Sequence, residues 1–181
     1  MFRSDPTRRL RRMPAFVPAR EPHPVILGAR PITGAALRRH LREELLPLWD
    51  RYGWDGEHGG FHSRLRHDLP PAADGFRRLV VQMRQLYVYA CIGAEGVGWA
   101  RDRPDATFEH GIARFWDAKH GGWYLTTTPA GDPLDRSKDA YAHAFALLGL
   151  AYYHRLSPSA AAPERALDTL DLLERHLADP R

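Results

Sequence analysis

The clearest chemical potential in this chain belongs to an arginine set in an apolar helical stretch. Arg84 is surrounded by Val81, Met83, Leu86 and Tyr87. A guanidinium there must either pair, for example with Glu44 or Asp74, or face a polar cavity, because a buried charge without a partner is costly. In a cavity its donors could bind hydroxyl groups or stabilise negative charge developing on an oxygen. A second apolar stretch holds Lys138, Tyr141 and His143. Lys138 lies about one helical turn before Tyr141 and either points to a cavity mouth or pairs with Asp135. Tyr141 either lines a site or packs as a core aromatic. His143 lies on another side of the same helix and reads as a hydrogen-bonded core histidine.

Two further histidines sit in a segment that occurs twice. Residues 55–61 read DGEHGGF and residues 117–123 read DAKHGGW, a spacing of 62 residues. His58, His62 and His120 could suggest a metal, but no cysteine or helical histidine pair supports one, so bracing of the turns is expected. The double glycines permit positive φ. Trp123 and Phe61, which follow the turns, could stack on a ligand or pack in a core; Trp49 and Trp116 are expected to pack. No phosphate-binding glycine loop and no Ser-His-Asp arrangement is readable.

The elements that must position these groups are five helices. The first spans about 33–52, with Thr33 as N-cap and Pro47 expected to kink it or end it early. The second spans about 76–92 and ends at Gly93 and Gly96. The third spans about 105–116, the fourth about 135–155 and the fifth about 163–177. The first, third and fifth are one-sided; the second and fourth are apolar nearly all round. That alternation requires an outer layer touching water and an inner layer that is covered. Residues 123–132 suit a short β-hairpin. The fold class is therefore all-α, built from helical hairpins, with a β-hairpin in a connecting loop.

The formal charge of +4 is unevenly spread. Residues 1–30 carry seven Arg against Asp5 and Glu21, a net +5, and the remainder carries 19 basic and 20 acidic groups, a net −1. Residues 1–31 read as a disordered, Pro-rich basic tail, and residues 32–181 as the helical domain. A near-neutral body argues against nucleic acid as the main partner. No apolar run approaches the ~20 residues of a membrane span. The single Cys91 reads as a small buried hydrophobe, and a reducing, cytoplasmic setting is expected.

Two Gly-Gly-aromatic turns, Gln82-x-Arg84, and Lys138-x-x-Tyr141-x-His143-Ala-Phe145 together resemble the N-terminal half of the N-acylglucosamine 2-epimerase family of sugar epimerases and isomerases, over about residues 36–178. The resemblance implies a partial (α/α)6 toroid with a sugar site at its mouth. Six units of this length would need roughly 370 residues, and this chain offers about two and a half. It further implies proton transfer at C2 through an enediol-type intermediate, by two histidines, with no cofactor and no metal doing the chemistry. Those histidines belong to later inner helices of the family and have no match here, so no catalytic residue is assigned and the chain alone is expected to be inactive. Arg84, Tyr141, Lys138 and Trp123 are the substrate-binding candidates. The alternative is a silent helical-repeat module that associates with itself or pairs with a missing C-terminal half through its open inner wall.

Overall fold

A computed structural model of the chain describes residues 25–27, 30–98, 102–158 and 161–177. An antiparallel pair, β1 (Val25–Leu27) and β2 (Arg30–Ile32), leads in. It occupies part of the stretch expected to be a disordered tail; the rest of that stretch lies outside the described residues. The first helical rod runs through α1 (Gly34–His40), a π-helical turn Leu41–Leu45, α2 (Leu46–Leu48) and a second π-helical turn Trp49–Gly53. Thr33 caps it by accepting the Ala36 N–H at 3.1 Å. Pro47 does not end the rod: it sits at the start of α2 between the wide turns, where the missing N–H is accommodated.

The inner layer is α3 (Leu79–Ala94) and α5 (Ala140–Leu156), which pack side by side. Gly149 lets them approach closely, since a Cβ there would lie 2.8 Å from the Met83 carbonyl oxygen. Gly93 does not stop α3, as the pattern suggested; it is buried inside the helix, and Gly96 at φ +82° follows the end. The outer layer is α4 (Arg103–Phe115), packed mainly on α3, and α6 (Ala161–Leu172), packed on α5 and continued by the π-helical turn Leu173–Leu177. The core between the layers joins Leu79, Met83 and Leu86 to Phe108, Phe115, Trp123, Ala146, Leu150 and Tyr153. A smaller cluster under the first rod holds Leu46, Phe61, Tyr89 and Ile92.

The loops contribute a small antiparallel sheet of order β3-β4-β5, with β3 at Arg77–Arg78, β4 at Thr126–Thr127 and β5 at Pro133–Asp135. The expected hairpin is β4–β5; it ends on Asp135, the residue expected to start the fourth helix, which begins at Ala140 instead. The third strand, β3, ties the first hairpin unit to the second just before α3 begins. Among the described residues no helix is long and apolar enough to cross a membrane.

Both double-glycine turns need their glycines: Gly59, Gly60, Gly121 and Gly122 all have φ between 71 and 76°. A Cβ on Gly60 would run into the His110 ring, and one on Gly122 would lie 2.8 Å from His143 Nε2. Gly60→Ala and Gly122→Ala should each cost ~1–3 kcal/mol by urea denaturation, whereas Gly56→Ala, with open space around its Cβ, should change little. Equal effects at all three would contradict this account of the turns.

Candidate functional site

The two turns are the same device. Asp55 Oδ1 accepts the N–H groups of Glu57 and His58 at 2.9 and 3.2 Å, and its Oδ2 takes His58 Nδ1 at 3.3 Å and Arg77 Nη2 at 2.5 Å. Asp117 Oδ1 accepts the N–H groups of Lys119 and His120, both at 3.1 Å, and its Oδ2 takes His120 Nδ1 at 3.2 Å and Lys138 Nζ at 3.0 Å. Burial alone would raise the pKa of Asp55, but the backbone amides and Arg77 hold it down to about 2. The same balance, led again by burial and reversed by Lys138 and His120, holds Asp117 well below the ordinary carboxylate range. His58 and His120 thus brace turns, and no group of three metal-ligating side chains occurs among the described residues.

Each turn is then pinned to its inner helix. The Phe61 N–H donates to Gln82 Oε1 at 2.8 Å, and Gln82 Nε2 donates back to the Phe61 carbonyl at 2.7 Å. In the second unit the Trp123 N–H donates to His143 Nε2 at 3.1 Å, while the other ring nitrogen, Nδ1, meets the Asp139 carbonyl at 2.8 Å. A carbonyl can only accept, so Nδ1 carries the proton and His143 is neutral. The outer helices repeat as well: Arg103 lies over Trp54 at 4.4 Å and Arg165 over Trp116 at 4.6 Å.

This framework sets Arg84 and Tyr141 beside each other on the open side of the inner layer. Arg84 Nη2 donates to the Tyr141 hydroxyl at 2.6 Å, and its guanidinium lies 4.2 Å from the Phe145 ring centroid. The expected partners are engaged elsewhere, Glu44 with His40 at 3.0 Å and Asp74 with Arg64 at 2.5 Å. Arg84 has no carboxylate partner among the described residues. Tyr141 is 58 % exposed, so it is not a core aromatic. Beyond it a shallow apolar recess of about 300 Å³ is lined by Ala144, Phe145 and Leu148. A cation, a phenol and two aromatic faces on one wall can bind an uncharged, oxygen-rich ring: hydroxyls to the donors, C–H faces to the aromatics.

Two candidates fall elsewhere. Lys138 neither points to the mouth nor pairs with Asp135, which bonds Ser137 instead; it neutralises the buried Asp117 carboxylate, the stronger attraction within its reach. Trp123 is fully buried, its Nε1–H donating to Thr169 Oγ1 at 2.8 Å and its ring set edge-on to Trp116, so it packs and offers no surface to a ligand. A larger groove of about 440 Å³ lies by the second turn, lined by His120, Asp117, Arg165, Asp168 and Arg175. Its arginines are paired with carboxylates of the same helix region, Arg165 with Asp168 at 2.8 Å and Arg175 with Asp171.

Sequence reasoning missed Arg77, and it gave Gln82 no role beyond the family motif. Both could have been found: Arg77 and Gln82 lie 61 residues before Lys138 and His143, nearly the spacing of the turns.

Lys138→Met should cost ~3–5 kcal/mol, because it leaves Asp117 buried without its cation; denaturant unfolding would show it, and a change within ~0.5 kcal/mol would refute the pairing. Acid should also weaken the fold. Burial first, then Arg114 and Arg77, lower the pKa of His110 to about 4, and burial lowers that of His143. The unfolded chain binds protons from about pH 6.5 downward that the folded rings refuse. Stability is therefore full above about pH 6.5, falls as pH drops, and loses the His110 contribution by about pH 4. Unfolding midpoints measured along this range should fall steadily; a flat profile would contradict the neutral, buried state of these rings.

With this geometry in place, comparison with known proteins gives a consistent result. Residues 59–181 match the model of the N-acylglucosamine 2-epimerase (GlcNAc 2-epimerase) family. The cellobiose 2-epimerase of Bacteroides fragilis is 29 % identical over 149 residues, covering 79 % of this chain and 37 % of that protein. The mannose-6-phosphate isomerase of Rhizobium meliloti is 38 % identical over 125 residues, covering 67 % of this chain and 31 % of that protein. The solved cellobiose 2-epimerase of Spirochaeta thermophila superposes with a TM-score of 0.72 at 30 % identity, over 77 % of this chain and 35 % of that one. The chain thus spans about a third of the length of these relatives. Their helical toroid is the architecture of which α3 to α6 form an arc. Matching sequence over most of its length and matching fold together establish that this chain belongs to the N-acylglucosamine 2-epimerase family of carbohydrate epimerases and isomerases.

Proposed function

We propose that the wall formed by Arg84, Tyr141 and Phe145 is part of a sugar site of a 2-epimerase or aldose–ketose isomerase, and that this chain alone does not carry the proton transfer. The observation that supports it most is the Arg84–Tyr141 pair itself, a cation bonded to a phenol and stacked on a ring, on an open face with no carboxylate among the described residues to neutralise it. Arg84 would bind ring hydroxyls and, in the complete site, stabilise the oxygen of an enediol-type intermediate. Tyr141 holds the guanidinium and adds a donor and acceptor of its own. Abstraction of a proton at C2 needs a general base within reach of that carbon. The nearest histidine in sequence, His143, is buried and holds the Trp123 amide, so it does not serve.

Two measurements test this. In D₂O, mannose, glucose, cellobiose or N-acetylmannosamine incubated with the chain should show no exchange of the C2 hydrogen above blank by proton NMR; exchange would overturn the claim that the acid/base pair is missing. Weak sugar binding, followed by titration calorimetry or NMR, should fall about tenfold or more in Arg84→Ala, the loss of a hydrogen bond from a charged group costing ~1.5–3 kcal/mol. Unchanged binding would remove Arg84 from the site.

A second reading concerns the free side of the arc. The repeat maps Phe108 of α4, which stacks on Tyr153 at 4.5 Å, onto Leu170 of α6. Leu170 and Leu167 are 42 and 67 % exposed where α4 has the next inner helix to cover it. We read this face as one that pairs with a further hairpin of the same kind, in a second copy or a complementary chain. Light scattering should show association that Leu167→Glu/Leu170→Glu reduces; a wild-type chain that stays a clean monomer would count against it.

A further inference from the structure

Across the described residues three buried side-chain polar atoms have no hydrogen-bond partner: Arg77 Nε, His110 Nε2 and Thr127 Oγ1. All three side chains are nine-tenths or more buried. They belong to one place. Arg77 and Thr127 are directly opposed on β3 and β4, so their side chains share a face about 5 Å apart. Helix α4, which carries His110, packs on β4. The His110 ring lies against Gly59 and Gly60, the turn whose Asp55 holds Arg77.

The donors and acceptors define what fits between them. Arg77 Nε–H needs an acceptor. Neutral His110 carries one ring proton, so its Nε2 needs a donor in one tautomer and an acceptor in the other. The Thr127 hydroxyl can act as either. As placed, none of the three atoms bonds another. One oxygen with two hydrogens and two lone pairs meets all three: it accepts from Arg77, donates to or accepts from His110 Nε2 according to the tautomer, and bonds the Thr127 hydroxyl. Asp55 already neutralises Arg77 at 2.5 Å, so the place offers no net charge to a small anion and suits a neutral ligand.

We propose that a single internal water molecule bridges Arg77, His110 and Thr127, and joins the first turn, the strand leading into α3, and helix α4. In the second unit two of the three members are replaced. Lys138 stands where the first has Arg77, and Leu172 stands where it has His110. Leu172 fills the space with carbon, lying 2.8 Å from the position a Cβ on Gly122 would take. The water is thus specific to the first unit, where a polar residue replaces the apolar plug. Buried donors and acceptors left unmet are costly, so the bridge accounts for three polar groups being tolerated in one buried place.

Two experiments on the full chain test it. A crystal structure refined with ordered solvent should show one isolated water within hydrogen-bond reach of all three atoms. A Thr127 hydroxyl bonded directly to His110 with no solvent between, or an anion in that place, would overturn the proposal. In solution, ¹⁷O magnetic relaxation dispersion should show a long-lived internal water whose contribution is lost in Thr127→Val and in His110→Phe and kept in Thr127→Ser, with folding verified by circular dichroism. Dispersion unchanged in a folded Thr127→Val or His110→Phe chain would equally overturn it.

Discussion

The structure depends on one arrangement used twice: a buried aspartate carboxylate inside a tight turn, neutralised by a cation from just ahead of the next inner helix. Asp55 with Arg77 and Asp117 with Lys138 are the two cases. Each carboxylate closes its own turn through two backbone amides and fixes where the inner helix begins. Because the charge is buried, the arrangement is all or nothing. Removing one partner leaves the other unpaired at low dielectric, which is far more costly than losing a surface ion pair.

From that anchor the rest follows outward. The aromatic residue after each turn is held by a polar side chain on the inner helix, Gln82 for Phe61 and His143 for Trp123. The outer helices lay an arginine over the aromatic residue before each turn. With turn, inner helix and outer helix locked together, α3 and α5 present their remaining side in fixed register. Arg84 and Tyr141, 57 residues apart in sequence, meet there at 2.6 Å. The two helices supply one half each of a polar grip on an otherwise apolar wall.

Much of this was legible in the sequence. Helical periodicity located every long helix, and the alternation of one-sided and all-apolar helices gave the two layers. The double glycines gave the turns, and an arginine among apolar residues pointed to the exposed Arg84–Tyr141 pair. What could not be read came from competition between partners. Lys138 had Asp135 three residues away, yet it lies on Asp117, twenty-one residues back, because only the fold shows that Asp117 is buried and Asp135 exposed. Trp123 had a place beside the turn but no visible reason to be buried; Thr169, on a later helix, meets its indole N–H. Pro47 has the chemistry of a helix breaker, and the wide turns on either side absorb it. Asp135 ends an edge strand rather than starting α5, because pairing with β4 closes the loop.

The central claim is that sugar recognition lies on the open wall of the inner helices and not in the larger groove by the second turn. NMR mapping of backbone amide shifts during titration with mannose tests it most directly. The account predicts shifts concentrated at Arg84, Tyr141, Ala144 and Phe145, with the amides of Lys119, His120 and Arg165 unmoved. Shifts centred on His120 and Arg165, with the α3–α5 wall silent, would contradict it.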